Sequence, residues 1–510
     1  VAILASSAAL ADSPLADAIE DGRREAALEL LAEGADVNGS QGDGTTPLHW
    51  AVYKIDIDLA RGLLERGANA SAQNRYGSSP LAEAVKSANV PLTELLLKAG
   101  ADANAANVDG ESVLMLAART GSAAVAKLLL EHSADPNARE LWREQTALMW
   151  AAEGAHAELV QLLIASGADV RARAAANDWG AQITSEPRAQ YRPTGGLTPL
   201  LYAARSGCAA CARAIVAAGE DIDRPTPEGV TALMLAIDNY EFDTAKALLD
   251  AGANPHYADW WGRTALYLAV DMNTYVPRET AHPRSKETRG IDLVRQLLAS
   301  GVEVDPQLNF HRPGRGGNSA RFTDYLLTTG ATPLLRAAIT HDHEAMRLLL
   351  EHGAEVDLPN VMGVTPLMAA GGIGVRNINF GANRSPNFEE DKEIEQKVIA
   401  SLEILLAAGA DINARIMDTK SRTARIARPS AVTDGDGQTA LFSAAARGWV
   451  QVARFLVDRG ANVDVVDNLG RSPIDMALTP VNGRVVEGGE AVAEILRGAS
   501  TKAPATAQAR

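Results

Sequence analysis

Aromatic residues are scarce in this chain. Phe, Trp and Tyr make up 5% of its 510 residues, which excludes a large core of stacked rings and suits short, closely packed helices. Cysteine is nearly absent: Cys208 and Cys211 are the two present, too few for a disulfide framework or a four-cysteine zinc site. No stretch approaches the roughly 20 apolar residues of a transmembrane helix, so no membrane span is expected. Positive charge is short as well. Lys and Arg total 48 against 64 Asp and Glu, a net charge of −16, and contact with phosphate needs a basic face; nucleic acid is not an expected partner.

Apolar residues at 46% and charged residues at 22% are ordinary for a folded chain. The first residues, VAILASSAALADSP, are small or apolar through Ala11 and offer Ala9-Leu10-Ala11 ahead of Asp12. Small residues at −3 and −1 after an apolar run mark a signal-peptidase site. Residues 1–11 therefore read as a signal-peptide remnant, and a periplasmic or secreted bacterial protein is expected.

One phrase recurs along the chain. TTPLHWAV opens at Thr45, SSPLAEAV at Ser78, ESVLMLAA at Glu111, QTALMWAA at Gln145, and LTPLLYAA, VTALMLAI, RTALYLAV, ATPLLRAA, VTPLMAAG, QTALFSAA and RSPIDMAL follow. Its Thr or Ser falls at 46, 79, 112, 146, 198, 231, 264, 332, 365, 439 and 472. A second phrase, of the type LLAEGADVN or LLLKAGADAN, closes most units. Thr or Ser suits an N-cap, and Pro in the first turn costs no hydrogen bond. The closing Gly supplies a left-handed C-terminal position.

A period near 33 residues with T-P-L-H-x-A resembles the ankyrin-repeat family. The resemblance covers about residues 13–497 and implies an all-α solenoid of about twelve helix–turn–helix units with β-turn fingers. The domain is placed at 12–498, with 472–497 closing the array and 499–510 a disordered tail. Five insertions interrupt the period, at about 173–197, 273–290, 306–330, 373–396 and 415–433. Three lengthen fingers, and the two at 273–290 and 373–396 fall between inner and outer helices. Together the five carry a formal +7 and leave −23 on the rest. Arg312, Arg315, Arg321, Arg422, Arg425 and Arg428 supply much of that basic character.

The resemblance also implies where a partner binds, since ankyrin arrays are interaction modules that use their finger tips and inner helices. In DWWGRTAL, Asp259 begins D-x-x-G, so Trp260 and Trp261 fall at a tip. Tyr76, and Trp142 with Arg143, hold corresponding places, while Trp179, Phe310 and Phe322 lie in lengthened fingers. Trp and Arg are common interface anchors. Tyr76, Trp142, Arg143, Trp179, Trp260, Trp261 and Arg263 are thus the expected partner-binding residues. Trp50, Trp150 and Tyr202 follow the T-P-L-H position and suit packing between units.

Little points to chemistry. Cys208 and Cys211 start an outer helix as C-x-x-C without a following His, which leaves a local disulfide, structural thiols or redox exchange. His341 and His343 in THDHE read as a solvated loop rather than a metal site. His49, the histidine of T-P-L-H, reads as a brace between units. GGIG at 371–374 and GRGG at 314–317 lack the context of a phosphate-binding loop. The expectation is a non-enzymatic scaffold without cofactor or metal, monomeric by itself, that binds one protein partner. Two rivals stand beside it: an exported redox or ligand-processing protein using Cys208/Cys211 or an insertion-lined pocket, and a secreted effector.

Overall fold

Residues 13–177, 194–274, 287–309, 326–373, 388–417, 435–480 and 485–500 are described in a computed structural model of the chain. The expected signal remnant (residues 1–11), Trp179, Phe310, Phe322, the six insertion arginines and residues 501–510 lie outside them. The described residues form twelve helix pairs. In each pair an inner helix, such as α3 (Pro47–Tyr53), is followed by an outer one, such as α4 (Ile57–Glu65).

The repeated phrase dictates this local structure. The hydroxyls of Ser79, Ser112, Thr146, Thr198, Thr231, Thr264, Thr332 and Thr365 each accept the backbone N–H three residues on. Such a cap stabilises a helix by about 1 kcal/mol, a useful share for helices too short to hold alone. The Leu and Ala behind it are buried: Leu48, Leu81, Leu114, Leu148 and Leu200 are at most 1% exposed. His49 braces neighbouring repeats, its Nδ1 accepting the Thr46 N–H and its Nε2 lying 3.0 Å from the Ser78 carbonyl. Burial holds its pKa below the usual imidazole value, so the neutral ring donates from Nε2.

A second ladder runs along the turns after the outer helices. Asn38 takes the Asn69 N–H on Oδ1 and gives Nδ2 to the Gly67 carbonyl. Asn104, Asn137 and Asn413 repeat the pattern at Ser133/Asp135, Gly167/Asp169 and Gly460/Asn462. Ser71 does both with one hydroxyl, at Gly100 and Asp102.

The chain divides into two compact units. The first holds described residues 13–177, 194–227 and 243–253; the second holds 228–242 and the described residues from 254 onward. In the first, the lengthened finger at 173–197 has a base of two short strands, β1 (Ala176–Asn177) and β2 (Thr194–Gly195), paired antiparallel. In the second, the finger bases feed the core. Leu308, Leu326, Leu327 and Ile416 are buried in one cluster with Tyr267, Leu335, Met362 and Met368, which lie on or beside α15 (Ala265–Asn273), α17 (Pro333–Ile339) and α19 (Pro366–Ala370).

The insertion at 373–396 is not all loop. Helix α20 (Phe388–Ala407) begins inside it and runs for 20 residues, because Val398, Leu402 and Leu405 recur at helical spacing and are all buried. Its Glu395 takes the Gln451 and Val452 N–H groups on Oε2 at 2.7 and 3.1 Å. That caps α22 (Val450–Asp458), whose N-cap residue, Trp449, makes no side-chain cap bond. The last helix, α24 (Gly489–Ser500), extends two residues past the expected domain end.

Candidate functional site

Several finger turns begin at an Asp, Asn or Glu whose carboxyl or amide folds the backbone around itself. Asn74 Oδ1 accepts the Tyr76 and Ser78 N–H groups. Glu140 accepts those of Trp142, Arg143 and Gln145 at 2.6 to 2.9 Å. Adjacent fingers then join through backbone: Arg75 N–H donates to the Asp43 carbonyl, and Leu141 N–H to that of Asp109. The close approach explains Gly77, at φ +72°, where a Cβ would stand 2.8 Å from Asn107 Cα.

This scaffold brings four large apolar side chains out on neighbouring fingers of the first unit. Tyr76, Val108, Leu141 and Trp142 are 68%, 63%, 73% and 75% exposed. Trp142 Nε1–H donates to Asp109 Oδ1 at 3.0 Å, which fixes the ring beside the third finger. Arg143 is exposed next to it. Between the second and third fingers opens a cleft of about 380 Å³, floored by Ser79, Ala82, Ala105, Val113 and Leu116 and bordered by Tyr76 and Val108. The basic groups at its edge are paired within the chain: Lys86 with Glu83 at 2.9 Å and Arg119 with Glu111 at 2.9 Å. Asn107 and Asp109 also line the cleft, so the surface mixes exposed apolar side chains with polar groups held by the turns.

Tyr76, Trp142 and Arg143 thus stand where the register predicts, on one surface. Val108 and Leu141 escaped sequence reading because neither is an aromatic or an arginine. Their register, the same as that of Arg75 in N-x-x-G, was available to find them.

The second unit treats its tryptophans differently. Trp260 is 47% exposed, but Trp261 is 4% and Arg263 6% exposed, so the expectation that these two face a partner is corrected. The finger after them is lengthened and lies over them: Asn309 N–H donates to the Trp261 carbonyl, and a Cβ on Gly262 would stand 2.7 Å from the Gln307 carbonyl oxygen. Arg263 stacks on the Trp261 ring at 5.1 Å, donates to Asp259 Oδ2 at 2.6 Å and lies 3.6 Å from Asp238. Burial alone would lower the Arg263 pKa; Asp238 and Asp259 more than offset it and hold the value above that of a free guanidinium. A second buried ion pair, Asp271–Arg336, joins α15 to α17. Such pairs are costly to bury and fix a geometry once formed.

Cys208 and Cys211 are joined by a disulfide that closes the first turn of α12 (Ala209–Ala217), with Cys208 Sγ accepting the Cys211 N–H at 3.1 Å. The pair is 7% and 0% exposed. The histidines of THDHE are not a solvated loop: His341 Nδ1 and His343 Nε2 both lie 3.0 Å from the Ser401 hydroxyl, on α20. No group of three or more metal-ligating side chains occurs among the described residues. Tyr202 is buried as expected, its hydroxyl accepting from Gln145 at 2.6 Å.

A family model described as ankyrin repeats in three copies matches residues 15–107, 81–174, 114–226, 174–259, 200–277 and 285–374, and a single ankyrin repeat matches 436–468. The chain belongs to the ankyrin-repeat family. It is 26% identical over 216 residues to an ankyrin repeat and SAM domain-containing protein 6 of Danio rerio, covering 40% of this chain and 28% of that protein. It is 28% identical over 279 residues to the B-cell lymphoma 3 protein homolog of Mus musculus, covering 54% and 44%. The chain therefore spans less than half the length of either relative. The crystal structure of the human ASB11 ankyrin repeat domain covers 48% of this chain and all of its own, at 25% identity and a TM-score of 0.39. Ankyrin repeats are protein-binding modules, and no described helix is long and apolar enough to cross a membrane.

Proposed function

We propose that this chain is a non-enzymatic scaffold that binds one protein partner on fingers two to four of its first unit. The observation that carries the reading is the contiguous row of Tyr76, Val108, Leu141 and Trp142, each more than 60% exposed. Contiguous apolar surface of this kind marks interaction sites more often than chance packing. The exposed apolar row beside the cleft suits a partner segment that presents a bulky apolar side chain to it. The rigid turns lower the ordering cost on association. The protein acts as a monomer, and Trp260 is a separate anchor on the second unit.

The setting proposed is the bacterial periplasm or exterior. The apolar N-terminal run through Ala11 supports it, and so does the Cys208–Cys211 bond, since disulfides persist in oxidising compartments. The redox alternative is weaker because these sulfurs are buried and exchange requires access.

Affinity capture from an envelope fraction tests the reading, comparing the full chain with a Tyr76→Ala/Leu141→Ala/Trp142→Ala variant. A stoichiometric partner held by wild type and lost from the variant is the expected result; central aromatic anchors each contribute about 2 kcal/mol or more. Equal recovery with both proteins refutes this surface.

A further inference from the structure

Two carboxylate rungs of the turn ladder leave a buried oxygen without a hydrogen-bond partner among the described residues. Asp305 and Asp357 occupy the position held elsewhere by Asn38, Asn104, Asn137 and Asn413. Each accepts the expected backbone N–H on Oδ2: Glu355 at 2.8 Å for Asp305, Asp411 at 2.9 Å for Asp357. Their Oδ1 atoms are buried and have no hydrogen-bond partner among the described residues. In every asparagine rung the second atom is an N–H donor, and its acceptor is the carbonyl two residues before the amide that Oδ1 receives. The same register assigns Asp305 Oδ1 to the Gly353 carbonyl and Asp357 Oδ1 to the Gly409 carbonyl. An ionised carboxylate offers that carbonyl a second acceptor and no hydrogen.

We propose that Asp305 works as a protonated rung, its Oδ1–H donating to the Gly353 carbonyl, so that this junction between successive repeats tightens on acidification. Asp464, one position further along the ladder than Asn413, shows the same need met by other means: the Ser500 hydroxyl donates to its Oδ1 at 2.5 Å. Among the described residues no hydroxyl plays that part at Asp305. Burial pushes its carboxyl above the ordinary range, against the Glu355 N–H, which favours the anion; the charged groups facing it, the carboxylates of Glu355 and Glu303, add to the upward shift.

The sign follows. A carboxyl whose native pKa is raised takes up a proton in the folded state before the unfolded one does. Its junction is therefore weakest well above the native value and strengthens as pH falls through it. An amide at the same place needs no proton.

The test uses the full chain as wild type, Asp305→Asn and Asp357→Asn, with hydrogen-exchange protection of the Glu355 and Asp411 amides followed from pH 7.5 to 4.5. Asparagine occupies this rung in four other repeats, so the variants are expected to fold. At pH 7.5, Asp305→Asn is expected to raise Glu355 protection several-fold, and the advantage should shrink steadily towards pH 4.5. Asp357→Asn should raise Asp411 protection at pH 7.5 by the same exchange of acceptor for donor. A variant equal to or below wild type at pH 7.5 overturns the proposal, as does an advantage that does not change with pH. Protection of wild type but not Asp305→Asn by millimolar calcium chloride would also overturn it, assigning Oδ1 to a cation instead of a proton.

Discussion

Acid should loosen the contact between α18 (His343–Glu351) and α20, and His341 sets the size of the effect. His341 sits at φ +54° in the turn before α18, with Nδ1 on the Ser401 hydroxyl. Ser401 is fully buried and also donates to the Lys397 carbonyl, beside His343 Nε2. Burial, then the positive charges of His343 and Lys397, lower the His341 pKa from 6.5 to about 4. Between those values the unfolded chain binds a proton that the native chain refuses. Stability from this site is thus complete above pH 6.5 and drains away as pH falls towards 4. A gap of roughly 2.5 at about 1.4 kcal/mol each amounts to about 3 kcal/mol. The perturbation is His341→Asn, since asparagine tolerates the left-handed backbone and does not titrate. Urea unfolding of both proteins, with exchange protection across α18 and α20, should show wild type ahead at pH 7 and the lead shrinking by about 3 kcal/mol by pH 4. A lead that stays constant across that range refutes the reasoning.

Trp261→Ala should cost about 3–5 kcal/mol as a buried aromatic truncation, whereas Trp260→Ala should stay within about 0.5 kcal/mol; paired urea melts separate the two. Glu395→Ala should cost about 1–2 kcal/mol, the loss of a helix cap, and exchange should accelerate at the Gln451 and Val452 amides. Reducing the Cys208–Cys211 bond opens a very short loop, so the loss should be about 2 kcal/mol, read as a lower melting temperature in dithiothreitol.

Sequence periodicity located the inner helices because the hydroxyl cap, the first-turn proline and the apolar stripe recur together. The same recurrence set the bounds of the five expected insertions, most of whose residues lie outside the described ones. It did not tell that Phe388–Ala407 is one helix, although Ile394, Val398, Leu402 and Leu405 carry the spacing; the glycine- and asparagine-rich stretch before them drew the whole insertion into a loop. The Asp271–Arg336 pair had no local signal at all, its members standing 65 residues apart. Nor could residue type separate Trp260 from Trp261, since both fit a finger tip. What separates them is the following finger, whose path depends on Leu308, Leu326 and Leu327 reaching the core.

That dependence bears on why Tyr76 and Trp142 are exposed while Trp261 is buried. In D-x-x-G the second x is buried where the next finger is lengthened and its base reaches the core, as at Trp261 and Met362. Tyr76 precedes the short finger of Asn107–Gly110 and is open. Trp261 and Met362 precede lengthened fingers, whose Asn309 and Met417 N–H groups bond their carbonyls, and both side chains are buried. Trp142 also precedes a lengthened finger yet stays open. Its turn, Glu140-Leu141-Trp142-Arg143-Glu144, carries one more residue, so the next strand bonds the Arg143 carbonyl through Ala175 N–H instead. The extra residue moves that bond one position along, and Arg143, which receives it, is itself exposed; the base of this finger pairs as β1 and β2 instead. Deleting Arg143 should therefore restore the shorter register and draw the Ala175 bond back to the Trp142 carbonyl while leaving the ring open. Unchanged quenching of exposed tryptophan by acrylamide is the expected result, and loss of quenching would show that register, not the path of the finger base, keeps Trp142 in the open.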